Sequence, residues 1–212
     1  RAKETILAAR NAGVDAVKIQ TYTPDTMTIE ADNPDFYIND GLWKGRSLYD
    51  LYSEAYTPFE WHKELFSYAN EIGVTLFSSP FDETAVDLLD SLGAPAFKVA
   101  SFEVVDLPLI KYIARKQKPI LMSTGMASLE EIGDAIEAAK SIGNDNILLF
   151  HCISSYPAPL PEANLNMIQI LQKEFNIQVG LSDHTIGNLA SVLATSMGAT
   201  AIEKHFTLNR SD

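Results

Sequence analysis

Two histidines, His184 in GLSDHT and His205 in IEKHFT, are of the type and placement that could hold a divalent metal. Each follows a short β-rich run, which puts both at the ends of consecutive strands. Neighbouring strands lie about 4.8 Å apart, so two imidazoles at equal height could reach one ion through bonds of about 2.1 Å. Strand alternation places Ser182 with His184 on one face, and Glu203 with His205 on one face. Two protein ligands leave positions open for water and a substrate oxygen, which describes a Lewis-acid site able to polarise an aldehyde. The competing reading is a hydrogen-bonded core histidine and a separate helix-entry histidine; matched strand ends weigh against it.

A second set is cationic and hydroxylic: Lys18 and Gln20, Ser78 and Ser79, Lys98 and Ser101, Ser123 and Thr124. Ala16, Lys18 and Gln20 share one strand face, leaving Val17 and Ile19 for the other. An inward lysine is costly unless its ammonium finds partners. Two of them among several hydroxyls suit a phosphate or carboxylate. Two other readings stay open: a structural ion pair with an inward acid such as Glu103 or Glu203, and a Schiff-base lysine. The histidine pair counts against the Schiff base, which needs no metal. Lys204 falls on the outer face, in packing or a surface ion pair. In HCISSYP (151–157), His151 and Cys152 are adjacent and point apart, so Cys152 reads as a structural buried thiol, whereas Tyr156 and the serines suit a polyhydroxylated ligand.

These residues need elements to hold them. Apolar periodicity predicts strands at 14–20, 74–80, 96–101, 119–125, 147–152, 178–183 and 199–206. Helices are predicted at about 2–12, 58–72, 82–92, 106–117, 128–142, 164–175 and 187–197. Strict alternation means parallel strands and right-handed crossovers, in a closed barrel or an open doubly wound sheet. No GxGxxG or Walker loop follows the first strand, and nearly every strand ends in polar residues, which favours a (β/α)8 barrel with its site at one mouth. The chain opens on a helix and supplies seven strands, so the barrel is expected to lack its first strand. The whole of 1–212 is read as one incomplete barrel domain, and 21–56, too long for an ordinary loop, as an insertion or lid.

A formal charge of −12 argues against nucleic acid or an anionic membrane as partner, although a few local lysines still admit a small anion. No run of 18 or more apolar residues suggests a membrane span, and the single cysteine fits a reducing cytoplasm.

The strings KIQ (18–20), FSSPFD (77–82), KVASFE (98–103), STGM (123–126), HCISSYP, GLSDHT (180–185) and IEKHFT (202–207) together resemble the sialic acid synthase family, in order along nearly the whole chain. Within it, YDLYSEAYTPFEWH (49–62) and KVASFEVVDLPLI (98–110) are most similar to the pseudaminic acid synthase branch. The resemblance implies condensation of phosphoenolpyruvate with the open-chain aldehyde of an acetamido sugar, in that branch 2,4-diacetamido-2,4,6-trideoxy-L-altrose. It implies His184 and His205 as ligands of manganese or magnesium. Lys18, Ser79, Lys98, Ser101, Ser123 and Ser182 match the groups that hold phosphoenolpyruvate; Gln20, Ser154 and Tyr156 fall where the family contacts the sugar. Ser154 departs from the asparagine of neuraminate synthases. Glu103 and Asp183 match further family positions, read as catalytic. The family's first-strand glutamate and its C-terminal antifreeze-like domain, which reaches over a partner's site in a homodimer, are not among these residues, and the chain by itself is expected to lack the full machinery. Alternatives are neuraminate or legionaminate synthesis, another phosphoenolpyruvate-condensing or aldol barrel, or an inactive ligand-binding barrel.

Overall fold

Most of the longer helices carry an apolar stripe and most strands an apolar outer row, so the chain stacks one on the other to bury both. The computed structural model describes residues 1–41 and 43–210 and separates into two compact units, Arg1–Ala94 and Pro95–Asp212.

The first unit opens with α1 (Ala2–Asn11) and β1 (Ala16–Thr21). A segment carrying α2 (Pro24–Met27) and α3 (Leu48–Ala55) follows, where the sequence predicts only an insertion. It is rooted by an aromatic cluster, with Tyr22 edge-on to Tyr52 and Phe81 at centroid distances of 5.8 and 5.5 Å. Then come α4 (Phe59–Ile72), β2 (Thr75–Pro80) and α5 (Glu83–Ser91). The α4 helix ends on Gly73 at φ 71, a left-handed conformation that glycine adopts without a Cβ penalty. Asp82 caps α5, accepting from the Ala85 amide. β1 and β2 pair in parallel with Gln20 opposite Ser79, and Ile6, Leu65, Ala69, Val74 and Leu76 fill the layer between strands and helices.

The second unit runs β3 (Phe97–Val99), α6 (Leu107–Ala114), β4 (Ile120–Ser123), α7 (Leu129–Lys140), β5 (Ile147–Cys152), α8 (Asn166–Phe175), β6 (Val179–Asp183), α9 (Leu189–Ser196) and β7 (Ile202–Lys204). A capping box of Ser128 and Glu131 starts α7. The five strands pair in parallel in chain order, without the reversal that marks a doubly wound sheet. This is (β/α)8-barrel order. The outward row Ile120, Met122, Leu149 and Val179 is fully buried with Ile110, Ile113, Ile168 and Leu171 from the helices, each burial favouring the fold by about 1.5–3 kcal/mol. Among the described residues no helix is long and apolar enough to cross a membrane.

Candidate active site

β6 and β7 stop one residue before a histidine each, at Asp183 and Lys204, so His184 and His205 leave the sheet side by side with ring centroids 5.4 Å apart. Ser182 Oγ donates to Glu203 Oε1 at 3.0 Å and lies 3.4 Å from His184 Nε2, which puts these side chains on one face as alternation predicts. The His184 Nδ1–H donates to the Ile153 carbonyl at 2.8 Å. That bond fixes the tautomer and turns the Nε2 lone pair toward the cluster, the arrangement in which imidazoles bind metals. Tyr156 lays its ring against both imidazoles, at 4.3 Å from His184 and 5.5 Å from His205; burial, then Cys152 and Glu203, pushes its phenol pKa up. The donors suit a divalent cation of borderline or hard character. Among the described residues no three His, Cys, Asp or Glu groups converge to hold one, so this chain offers the pair as two donors.

Asp183 is turned away from the histidines. It is buried, and its carboxylate accepts from Lys204 Nζ at 2.8 Å, Ser191 Oγ at 2.6 Å, and the Thr185 hydroxyl and amide at 2.7 and 2.9 Å. Burial alone would raise its pKa, but these donors outweigh it and hold the group at about 2. Here Asp183 ties β6 to β7 and α9. Lys204 occupies the outer face, in the ion pair that alternation allows.

Farther along the same strand ends, Lys98 is buried at 1% exposure, donates to Ser123 Oγ and to the Val99 carbonyl, and stands 5.6 Å over the Phe150 ring. Ser101 Oγ lies 3.2 Å from Cys152 Sγ, and a Cβ on Gly125 would come within 3.0 Å of Ser154 Oγ, Cys152 Sγ and Ser101 Oγ alike. These side chains therefore converge on a cradle kept open by glycine. His151 points the other way, 2.9 Å from the Ala163 carbonyl, so no thiol and imidazole dyad forms with Cys152. Glu103 has one carboxylate oxygen buried without a partner. Burial raises its pKa against the pull of its own amide and of Lys98.

In the N-terminal unit, Lys18 is half-buried, Gln20 is exposed, and Ser79 is fully buried with no partner for its hydroxyl. An orphaned buried hydroxyl is costly, and a ligand that meets it recovers the cost. Ser78 and Thr124, which the sequence groups with the ligand-holding hydroxyls, donate instead to the Ile19 and Phe150 carbonyls. His62, absent from the sequence reading, is fully buried beside Thr21 and Ser78. Its signal was the stripe His62, Leu65, Ala69 on one face of α4.

The model of the NeuB family matches residues 5–212. The chain belongs to the NeuB family. It is 48% identical over 210 residues to a pseudaminic acid synthase of Helicobacter pylori, covering 99% of this chain and 62% of that relative. It is 39% identical to an N,N'-diacetyllegionaminic acid synthase of Legionella pneumophila, over 99% of this chain and 60% of the relative. A crystal structure of N-acetylneuraminic acid synthetase from Leptospira borgpetersenii in complex with citrate superposes with a TM-score of 0.87 at 28% identity, over 99% of this chain and 68% of that one. This NeuB chain thus spans about three-fifths of the length of the curated relatives it matches.

Proposed function

We propose that the intact protein is a phosphoenolpyruvate-dependent nonulosonic acid synthase, acting on 2,4-diacetamido-2,4,6-trideoxy-L-altrose to give pseudaminic acid. The observation that carries this reading is the pairing of His184 with His205 beside Ser182, Glu203 and Tyr156, in a chain 48% identical to a pseudaminic acid synthase. The methylene carbon of phosphoenolpyruvate bonds to the aldehyde carbon, whose oxygen gains a proton. Water adds to the former enol carbon, and cleavage of its bond to the phosphate oxygen releases phosphate and leaves a 2-keto acid.

The residues divide the work. Lys98, held by Ser123, supplies positive charge for phosphoenolpyruvate, with Ser101 and Ser182 as hydroxyl partners; Lys18 and the orphaned Ser79 hydroxyl from the N-terminal unit belong to the same assignment. His184 and His205 would hold manganese or magnesium, which when bound supplies Lewis-acid polarisation of the aldehyde oxygen. Glu103, whose burial raises its pKa and keeps its proton to higher pH than an ordinary carboxyl, is assigned to give that proton to the developing alkoxide. Gln20, Ser154 and Tyr156 are assigned to the sugar, and Asp183 to holding His184 in place from behind. We assign the intact protein to the cytoplasm, as a homodimer.

Phosphate release from phosphoenolpyruvate, measured with a panel of acetamido sugars and with or without divalent metal, tests this reading. Release requiring both sugar and metal, with product mass matching the diacetamido trideoxy sugar, is expected. A preference for the N-acetylmannosamine or legionaminate precursor would reassign the sugar, and no release from the intact protein would overturn the reading.

A further inference from the structure

Three fully buried polar side chains in the N-terminal unit have no part in the chemistry just described: Thr21, His62 and Ser78. They lie on the outer face of β1 and β2, at the end of the apolar layer that includes Val17, Ile19 and Leu76. His62 Nε2 is 2.7 Å from Thr21 Oγ1, Thr21 Oγ1 is 2.7 Å from Ser78 Oγ, Ser78 donates to the Ile19 carbonyl at 2.9 Å, and His62 Nδ1 is 3.0 Å from the Pro58 carbonyl. Apolar side chains of the same shape would pack here at little or no loss of stability, since buried polar groups gain little net energy even when satisfied. What they add over an apolar layer is direction, since each bond holds its two ends at one separation and angle.

The hydrogens available to these groups limit how the chain can be bonded. The two carbonyls only accept, so Nδ1 and Ser78 must supply hydrogens to them. Thr21 then has one hydrogen for two neighbours, Ser78 Oγ and His62 Nε2. Burial lowers the His62 pKa and so favours the neutral ring; with its one hydrogen on Nδ1, given to Pro58, Nε2 accepts from the Thr21 hydroxyl. Three hydrogens then serve four contacts, so the Thr21 and Ser78 hydroxyls share theirs along the chain. The chain thus ties the start of α4 to the ends of both strands. Thr21 and Ser78 are the sequence neighbours of Gln20 and Ser79, which face the opposite way and are partners in register.

We propose that His62 is a positioning residue: acting through Thr21 and Ser78, it fixes the mutual height of the β1 and β2 ends and so holds Gln20 and Ser79 in their binding geometry. This rests on the function proposed above. In the intact protein, His62→Phe keeps the packing and removes the bonds, whereas His62→Gln keeps a polar group that can meet the Thr21 hydroxyl without the ring. His62→Phe and Thr21→Val are expected to raise KM for phosphoenolpyruvate about tenfold with a smaller change in kcat, the scale expected for a sub-ångström displacement. His62→Gln should recover most of that loss, and the double variant should be no worse than either single one. Amide hydrogen exchange at 19–21 and at Ser78 and Ser79 should speed up in His62→Phe and Thr21→Val. Wild-type KM and exchange in a folded His62→Phe, or a His62→Gln no better than it, would overturn the proposal. If His62→Phe does not fold, Thr21→Val against wild type decides by the same two readouts. If the wild-type protein releases no phosphate, the functional reading has failed, and exchange alone decides whether the chain holds the strand ends.

Discussion

Gly180 lies within β6, two residues before Ser182 and opposite Phe150 of β5. A Cβ added there would stand 2.6 Å from the Ala201 carbonyl oxygen and 2.8 and 3.0 Å from two carbons of the Phe150 ring. The ring can turn, but the carbonyl is held: it accepts from the Leu181 amide at 2.9 Å, a bond that joins β6 to the segment entering β7. Overfilling a packed site costs about 1–3 kcal/mol, and a lost backbone hydrogen bond about 1 kcal/mol more. Gly180→Ala is thus expected to destabilise the intact protein by about 2–4 kcal/mol. Gly133→Ala is the control, because its nearest neighbour would be Phe175 at 3.7 Å and it lies inside α7, where alanine is favoured over glycine by about 1 kcal/mol. Urea unfolding should move the two midpoints in opposite directions at constant slope. Separation of β6 from β7 should also loosen the Ser182–Glu203 contact, so phosphate release per folded molecule falls in Gly180→Ala alone. A midpoint within about 0.5 kcal/mol of wild type would refute the argument from close approach. So would equal losses in the two variants.

His205→Ala should abolish metal-dependent turnover without lowering the unfolding midpoint, whereas Lys204→Ala should keep turnover in the folded fraction but lose about 1–3 kcal/mol, since Asp183 keeps its Ser191 and Thr185 donors; equal loss of turnover would count against opposite strand faces. Asp183, held at about 2 against an ordinary 3.8, contributes about 2 kcal/mol above pH 3.8 that is lost as pH falls toward 2. In Asp183→Asn the acid dependence of the urea midpoint should flatten, and an unchanged slope would mean that other groups carry it. With its pKa raised by burial, Glu103 should give its proton less readily as pH rises through that pKa, so turnover falls there; Glu103→Gln should lose both that limb and about 10²–10⁴ of the rate. A glutamine variant that keeps the limb would assign the proton elsewhere.

The features legible in the sequence are those set by local geometry. Side-chain alternation is a property of each strand, so the shared face of Ser182, His184, Glu203 and His205, and the opposed faces of His151 and Cys152, could be read without knowing any neighbour. The seven strands among the described residues fall within about three residues of their predicted ends for the same reason. Paired serines are harder, because two hydroxyls at one strand end look equivalent until the register shows that Ser78 meets Thr21 and Ser79 meets nothing. Asp183 is a similar case. Its place in a motif suggested chemistry, yet its carboxylate is spent on the local Thr185 and on Lys204 and Ser191, partners 21 and 8 residues away that only the packing of β7 and α9 brings to it.

That contrast bears on how the site works. The groups read as reactive face inward, while two polar assemblies, the buried Asp183 with the exposed Lys204 behind the histidines and the buried His62, Thr21 and Ser78 behind Gln20 and Ser79, occupy the outer layer where apolar contacts would serve stability as well. In each, a strand-end residue pointing outward is fixed by directional bonds, and its neighbour pointing inward is a proposed ligand. A strand end held only by apolar contacts can shift by fractions of an ångström at little energetic cost, and misplacement of about 1 Å can lower a rate by about 10². Hydrogen bonds behind the sheet resist that shift without occupying the space in which the substrate must bind.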